Sequence, residues 1–446
     1  MWDPSTPIPD HLPGEPPSRT PPPLRMAWQL LRRALQTLLT AVLSAPFWVP
    51  YLLLRAFLGR PPNVPSAGRV LTILWLILSA RPQPALSLGM RVGMLLDLGF
   101  RAALIGPLGL AWLLDRVLYG RALREIEIRE PIFEVSAARS GSTQLAHYLE
   151  DDPGVVGPSV LEIVFPFLWF WRLLPRLEWL VSRERLGRAI FGVHPHEYHE
   201  RHESDALRTD TFEVTYALAH QFTHLTNSLG PEIMVGHFRF DRVAEDAQQV
   251  WGRDFLDFID GIARKTLLRA RDVPGGERRH FFIKGHFLFA VPELARRYPD
   301  ARFLTMLRAP EKRLQSMINF VHCQATVFPC PALPWTWIIN LVMETEIPYC
   351  DLEMDWFTRP DGPRRVVVPF DAYLRDLEGT MRRVYRELLD RELPPHVPRE
   401  HAPRQRTNYS VDRSLAQLGI DEQALKARLA DYGRWCRSGE KPSGVA

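Results

Sequence analysis

Lysine and cysteine are scarce in this sequence, with five and four occurrences in 446 residues. The cysteines, Cys323, Cys330, Cys350 and Cys436, form no CxxC pair and no Cys/His spacing of a zinc site, which leaves zinc-ribbon and dithiol redox chemistry without ligands. A disulfide among the first three and free buried thiols both remain open. No HExxH occurs, and no internal repeat. The net charge of +4 is too small to indicate a nucleic-acid partner. Its positive charge is carried almost wholly by arginine, whose fork of donors suits phosphate, so each rare lysine stands out.

What is present is enough for a full core: 46% hydrophobic and 24% charged residues, with 13 Trp and 40 Pro. Residues 1–24 are Pro-rich without apolar periodicity and read as an extended or disordered tail. Residues 25–120 read as an apolar helical, membrane-associated region. Within it Ala34–Leu54 is uncharged between Arg32, Arg33 and Arg55, and its length meets the roughly 20 residues of a spanning helix. Pro46 and Pro50 are expected to break that helix. The runs Val70–Ala80, Ala102–Leu114 and Ile163–Trp171 are each expected to be too short to span. With arginines at their edges and Trp48, Trp75, Trp112, Trp169 and Trp171 they have interfacial composition. Whether 34–54 spans or lies on a bilayer, or the runs simply pack as a helical layer, stays open. A cleaved signal peptide is not expected, because the apolar run starts far from Met1.

From about residue 121 to 446 the pattern becomes that of an α/β domain. Short apolar strands at Pro131–Ser136, Phe281–Lys284, Ala301–Leu307 and Arg365–Pro369 alternate with helices at Gln144–Glu150 and Val291–Arg297. This is the signature of a parallel central sheet flanked by helices. The stretch 190–270 reads as mostly helical, forming a lid.

Between the first strand and its helix lies Val135-Ser-Ala-Ala-Arg-Ser-Gly-Ser-Thr143. Small residues there let backbone amides converge on an anion at a helix N-terminus. Against the Walker pattern, Gly141 and Thr143 fit, Ser136 replaces the first glycine and Ser142 replaces the lysine. A kinase or NTPase would need that lysine. Arg139 supplies the loop's charge instead. A second anion site is indicated where Tyr298-Pro-Asp-Ala-Arg-Phe-Leu-Thr-Met-Leu-Arg308 ends a strand and Ser316 follows in the next helix: a strand-end guanidinium and a hydroxyl can clamp a monophosphate. Lys284-Gly-His286 closes the strand between them, and alternation would project both side chains together. An unperturbed histidine titrates near neutrality, which makes His286 the candidate general base.

The loop Arg139-Ser140-Gly141-Ser142-Thr143 resembles the 5′-phosphosulfate loop of sulfotransferases that use 3′-phosphoadenosine 5′-phosphosulfate (PAPS), commonly RSGTT or KSGTT. Arg308 with Ser316 is similar to that family's 3′-phosphate motif, including the approach YPDARFL. Cytosolic members carry Lys-x-His, whereas many bacterial and Golgi relatives have Lys-Ser-Pro. The resemblance implies a P-loop-like sulfotransferase fold and sulfuryl transfer from PAPS to a hydroxyl of a lipophilic small molecule or lipid, with no metal required. In it Arg139, Ser140, Gly141, Ser142 and Thr143 hold the 5′-phosphosulfate, Arg308 and Ser316 the 3′-phosphate, His286 acts as base, and Lys284 with Arg139 stabilises the transferring group. Arg404 or Arg406 is a candidate for a further 3′-phosphate contact, and no family motif fixes which; Glu162 and Glu213 are the alternative bases. Val366–Asp376 and Asn408-Tyr-Ser-Val-Asp extend the likeness over 128–437, as in the broad bacterial-type group. A catalytically silent scaffold on the same fold is the other reading. The cluster His194, His196, His199 and His202, with Glu203 or Asp205, completes no metal ligand set and reads as a polar segment. The catalytic domain is expected on the cytoplasmic side, or Golgi-lumenal in a eukaryote.

Overall fold

The computed structural model describes residues 23–81, 87–179, 181–191, 205–227, 229, 252–276, 279–327, 335–401 and 413–439. Five strands, β1 (Ile132–Glu134), β2 (Val155–Val156), β3 (His280–Lys284), β4 (Arg302–Leu307) and β5 (Arg364–Pro369), pair entirely in parallel in the order β2-β3-β1-β4-β5. Strand alternation explains the layers. Phe133, Phe281, Ile283 and Phe303 enter one core, while Ile132, Phe282, Leu304, Met306, Val366 and Val368 enter another on the opposite face. A sheet buried on both faces needs helices on both. The short β2 carries too little apolar sequence to be legible as a strand.

The helices are α1 (Pro23–Leu58), α2 (Ala67–Ser79), α3 (Leu88–Glu125), α4 (Ser142–Glu150), α5 (Val160–Val164), α6 (Leu168–Leu173), α7 (Arg183–Phe191), α8 (Phe212–His220), α9 (Thr223–Asn227), α10 (Arg253–Ala270), α11 (Val291–Arg297), α12 (Pro310–Val327), α13 (Trp335–Thr358), α14 (Phe370–Arg375), α15 (Leu377–Leu389), α16 (Glu422–Arg428) and α17 (Ala430–Ser438). Within 190–270 the described residues hold α8, α9 and α10, in line with the helical reading of that stretch.

Two expectations for the N-terminal region need correction. Helix α1 runs unbroken through Pro46 and Pro50. The bonds those prolines cannot make are offset by packing, for Trp48 and Tyr51 lie against the bare backbone of Gly106 and Gly109 on α3, where any Cβ would overlap the rings. The run Ala102–Leu114 is the middle of the 38-residue α3, so α1 and α3 are both long and apolar enough to cross a membrane by length and composition. Ile163–Trp171 is split between α5 and α6.

Helix α3 is fastened to the sheet domain by a buried ion pair. Asp115 accepts the amides of Leu168 and Trp169 at 2.8 and 2.9 Å and pairs with Lys265 of α10 at 3.0 Å. Lys265 also donates to the Pro166 carbonyl at 2.7 Å and sits 3.2 Å from the Trp112 ring centroid. Burial pulls this lysine down to about 8, and Asp115 opposes the pull. Arg60, after α1, donates Nη2 to both carboxylate oxygens of Asp254 of α10, at 2.6 and 2.5 Å.

Candidate active site

Parallel pairing of β1 with β3 and β4 puts three strand ends side by side, and all three sequence motifs leave from them. Open α/β sheets bind ligands at this edge. After β1 the chain turns through residues 136–141 into α4. Arg139 and Gly141 both have left-handed backbone, at φ 64° and 92°. Gly141 cannot be otherwise: it is the N-cap of α4 in left-handed backbone, and a Cβ would overlap the Phe370 ring. Ser140 holds the turn from within, donating its hydroxyl to the Ala137 carbonyl at 2.7 Å. Ser142 is the first residue of α4 and buried. Ser136, where a Walker loop has glycine, accepts the Met306 amide at 2.7 Å and hydrogen-bonds Glu134, tying the loop to β4.

The Arg139 loop and the Arg308–Ser316 segment meet. Arg139 donates Nε to Ser316 Oγ at 3.0 Å, and Arg308 donates to the Arg139 carbonyl at 2.8 Å. Arg139 lies over Phe320 and Arg308 over Phe370, at 4.9 and 5.0 Å from the ring centroids. Each guanidinium thus stacks its face on an aromatic ring. Ser316 is held on α12 by a buried network one turn earlier. There Arg313 reaches Glu346 and Glu353 at 3.5 Å and donates to Tyr432 Oη at 2.8 Å, and Tyr432 donates to Glu353 at 2.6 Å. Arg313 also donates to Cys350 Sγ at 2.9 Å. Cys350 and Cys436 are free buried thiols, so a disulfide through Cys350 does not form.

Lys284, 2% exposed, donates to Thr143 Oγ1 at 3.3 Å and pairs with Asp210. Burial opposes its charge, but Asp210 and Glu134 outweigh burial and raise its pKa. It is therefore a cation at neutral pH. Strand β3 stops at Lys284, so the alternation argument does not carry to His286; this residue follows a Gly285 whose amide bonds the Glu134 carbonyl at 3.0 Å. His286 reaches the same loop by another route, Nδ1 to the Ser136 carbonyl at 2.8 Å. A carbonyl only accepts, so Nδ1 carries the proton and the neutral ring keeps its lone pair on Nε2.

Of the alternative bases, Glu213 lies in the site. Its carboxylate is under Gly285, where a Cβ would overlap Oε2, and burial pushes it up to about 7. Glu134 is pushed to about 7 for the same reason. Glu162 is instead the capping-box partner of Ser159 and pairs with Arg269, so its oxygens are engaged elsewhere. Asp210 was not anticipated: it is 74 residues from Lys284 in a loop with no motif, and only the fold joins them. Arg404, Arg406 and the histidines from His194 to His202 lie outside the described residues, as does Glu203; Asp205 accepts the Leu207 amide at 2.8 Å. Among the described residues no group of three or more His, Cys, Asp or Glu could hold a metal ion.

A parallel sheet whose three central strand ends converge two arginines, a lysine and small hydroxyl residues defines an α/β protein with a cationic candidate site at that edge. The sequence profile of the Sulfotransferase family matches residues 131–394, and the chain belongs to that family. Two solved structures are similar: sulfotransferase STF9 from Mycobacterium avium, at 18% identity and TM-score 0.57 over 86% of this chain and 94% of that one, and sulfotransferase STF1 from Mycobacterium tuberculosis H37Rv, at 16% identity and TM-score 0.53 over 85% and 97%. These shares exceed the 128–437 stretch of the sequence resemblance, so the fold match reaches into the helices ahead of β1. No curated protein matches the chain by sequence.

Proposed function

We propose that the chain is a PAPS-dependent sulfotransferase acting on a hydroxyl of a lipophilic small molecule or lipid, while associated with a membrane on its cytoplasmic side. The observation that carries the donor is the contact between the two phosphate motifs, Arg139 on Ser316 and Arg308 on Arg139. A ligand with phosphates on the 3′ and 5′ oxygens of one ribose needs two cationic groups about one sugar ring apart, and two motifs in contact can supply them. The lysine a triphosphate site would carry is absent at Ser142.

In this reading the loop amides, Ser140, Gly141, Ser142, Thr143 and Arg139 hold the 5′ side, and Arg308 and Ser316 the 3′-phosphate, with Arg406 as a further contact. The donor supplies an activated sulfuryl group on a phosphate oxygen. His286 takes the acceptor hydroxyl proton on Nε2 as the new sulfur–oxygen bond forms and the bond to the phosphate breaks. Lys284 and Arg139 neutralise charge growing on the oxygen left behind. Fixed cations do this work, so no metal is invoked. The lipophilic acceptor is supported by the apolar α1 and α3 packed beside this domain.

Thermal-shift titration tests the donor assignment. Adenosine 3′,5′-bisphosphate should stabilise the protein at micromolar concentration and ATP with Mg²⁺ far less. The reverse order would replace this reading with an NTPase.

A further inference from the structure

We infer that the N-terminal helices dock in the plane of an anionic bilayer surface through the outer face of α1, and that neither α1 nor α3 crosses it. This deepens the membrane reading above and rests on it.

The packing excludes a crossing. Helices α1 and α3 run in the same direction and touch along their length: Met26 lies at Gly89, Leu30 at Gly93, Trp48 at Gly106 and Tyr51 at Gly109. Thr37 donates to the Leu96 carbonyl at 3.0 Å. The rest of α3 is fastened to the catalytic domain. Asp97 bonds His224 at 2.7 Å, Arg101 donates to the Leu218 carbonyl at 3.3 Å, Trp112 stacks on Phe258 at 5.6 Å, and Asp115 pairs with Lys265. Only residues 88–96 of α3 precede the first of these, about 14 Å of helix. A hydrocarbon core is about 30 Å thick. A spanning α1 or α3 would drag the polar α8–α9 segment and α10 into the lipid.

The face of α1 turned away from α3 is apolar from end to end. Trp28, Leu31, Leu35, Leu38, Val42 and Val49, spaced by threes, fours and a seven, are each more than half exposed. This stripe is about 32 Å long, far larger than the scattered apolar residues of a monomer surface. Charge selects the occupant. From Pro16 to Leu96 there is no Asp or Glu and there are nine arginines. Arg33 pairs with Asp97 and Arg60 with Asp254, whereas Arg25, Arg32 and Arg81 are exposed. A second copy would bring a like-charged face against this one. Anionic headgroups with acyl chains beneath complement both the stripe and its arginines.

The test uses the full chain with vesicles of phosphatidylcholine alone or mixed with phosphatidylglycerol. Flotation should be strong with the anionic vesicles and about tenfold or more weaker with the neutral ones. The exposed-charge variant Arg25→Glu/Arg32→Glu/Arg81→Glu should lose that preference while binding adenosine 3′,5′-bisphosphate normally. Spin labels at Leu31→Cys, Leu38→Cys and Val49→Cys, read against wild-type labelling, should report one shallow depth. A label at Leu38→Cys near the midplane, deeper than the other two, overturns in-plane docking but keeps membrane association. Protein that binds the nucleotide, stays at the bottom of both gradients or elutes as a dimer overturns both, and leaves sulfuryl transfer standing.

Discussion

Replacing Arg308 by alanine separates the two phosphate sites, because the structure gives this side chain two distinct roles. Its guanidinium is the strand-end cation proposed for the 3′-phosphate, and it also donates to the Arg139 carbonyl at 2.8 Å. The phosphate contact is a charged hydrogen bond, worth about 1.5–3 kcal/mol, and the loop contact a bond to a neutral carbonyl, worth about 0.5–1.5 kcal/mol. Adenosine 3′,5′-bisphosphate should lose both, AMP only the loop contact. The difference isolates the phosphate contact, so the preference for the bisphosphate over AMP should fall by about 10- to 150-fold, read by calorimetric titration of both nucleotides. Arg308→Lys should recover part of it, since a point charge replaces a fork. If Arg308→Ala weakens both nucleotides equally, Arg308 only props the loop and the 3′-phosphate assignment is wrong.

His286→Ala should lower turnover by about 10²- to 10⁴-fold with nucleotide affinity unchanged; full activity would move the base to Glu213, whose Oε2 underlies the neighbouring Gly285. Glu213→Gln tests a buried acid. Its folded pKa of about 7 is raised above the ordinary 4.5, so its protonated form stabilises the fold below about pH 4.5, and that contribution is lost as pH rises through 7. The variant should match wild type near pH 4.5 in chemical denaturation and exceed it by up to about 3 kcal/mol at pH 8; an equal pH slope in both proteins would refute the shift. Asp115→Asn leaves Lys265 buried without its counter-charge and should cost about 3–5 kcal/mol in denaturant unfolding; a loss below about 1 kcal/mol would mean the pair does not hold α3 to the domain.

The apolar strands and the strand-to-helix loop after the first of them were legible because both are local. Four strands of three to six residues matched their apolar runs, and small residues between β1 and α4 marked the turn. Lys284 and Arg308 were read at strand ends, and they lie at the end of β3 and just after β4, with Arg139 in the loop after β1. What sequence could not supply was long-range. Asp210 meets Lys284 only because the segment before α8 folds over β3, and the Arg313 network joins α12, α13 and α17 through residues without a motif. The proline rule failed for α1 because a neighbouring helix with glycines at the contact compensates it, which is a tertiary effect.

Incubation of the purified chain with PAPS carrying heavy sulfur, together with lipid and small-molecule extracts, tests the central claim most directly. Mass spectrometry should find a product bearing the heavy sulfuryl group and an equal amount of adenosine 3′,5′-bisphosphate with wild type, and neither with Lys284→Ala/His286→Ala. Bisphosphate-free mixtures with the wild-type protein, or product formed equally by the double variant, would contradict sulfuryl transfer at this site.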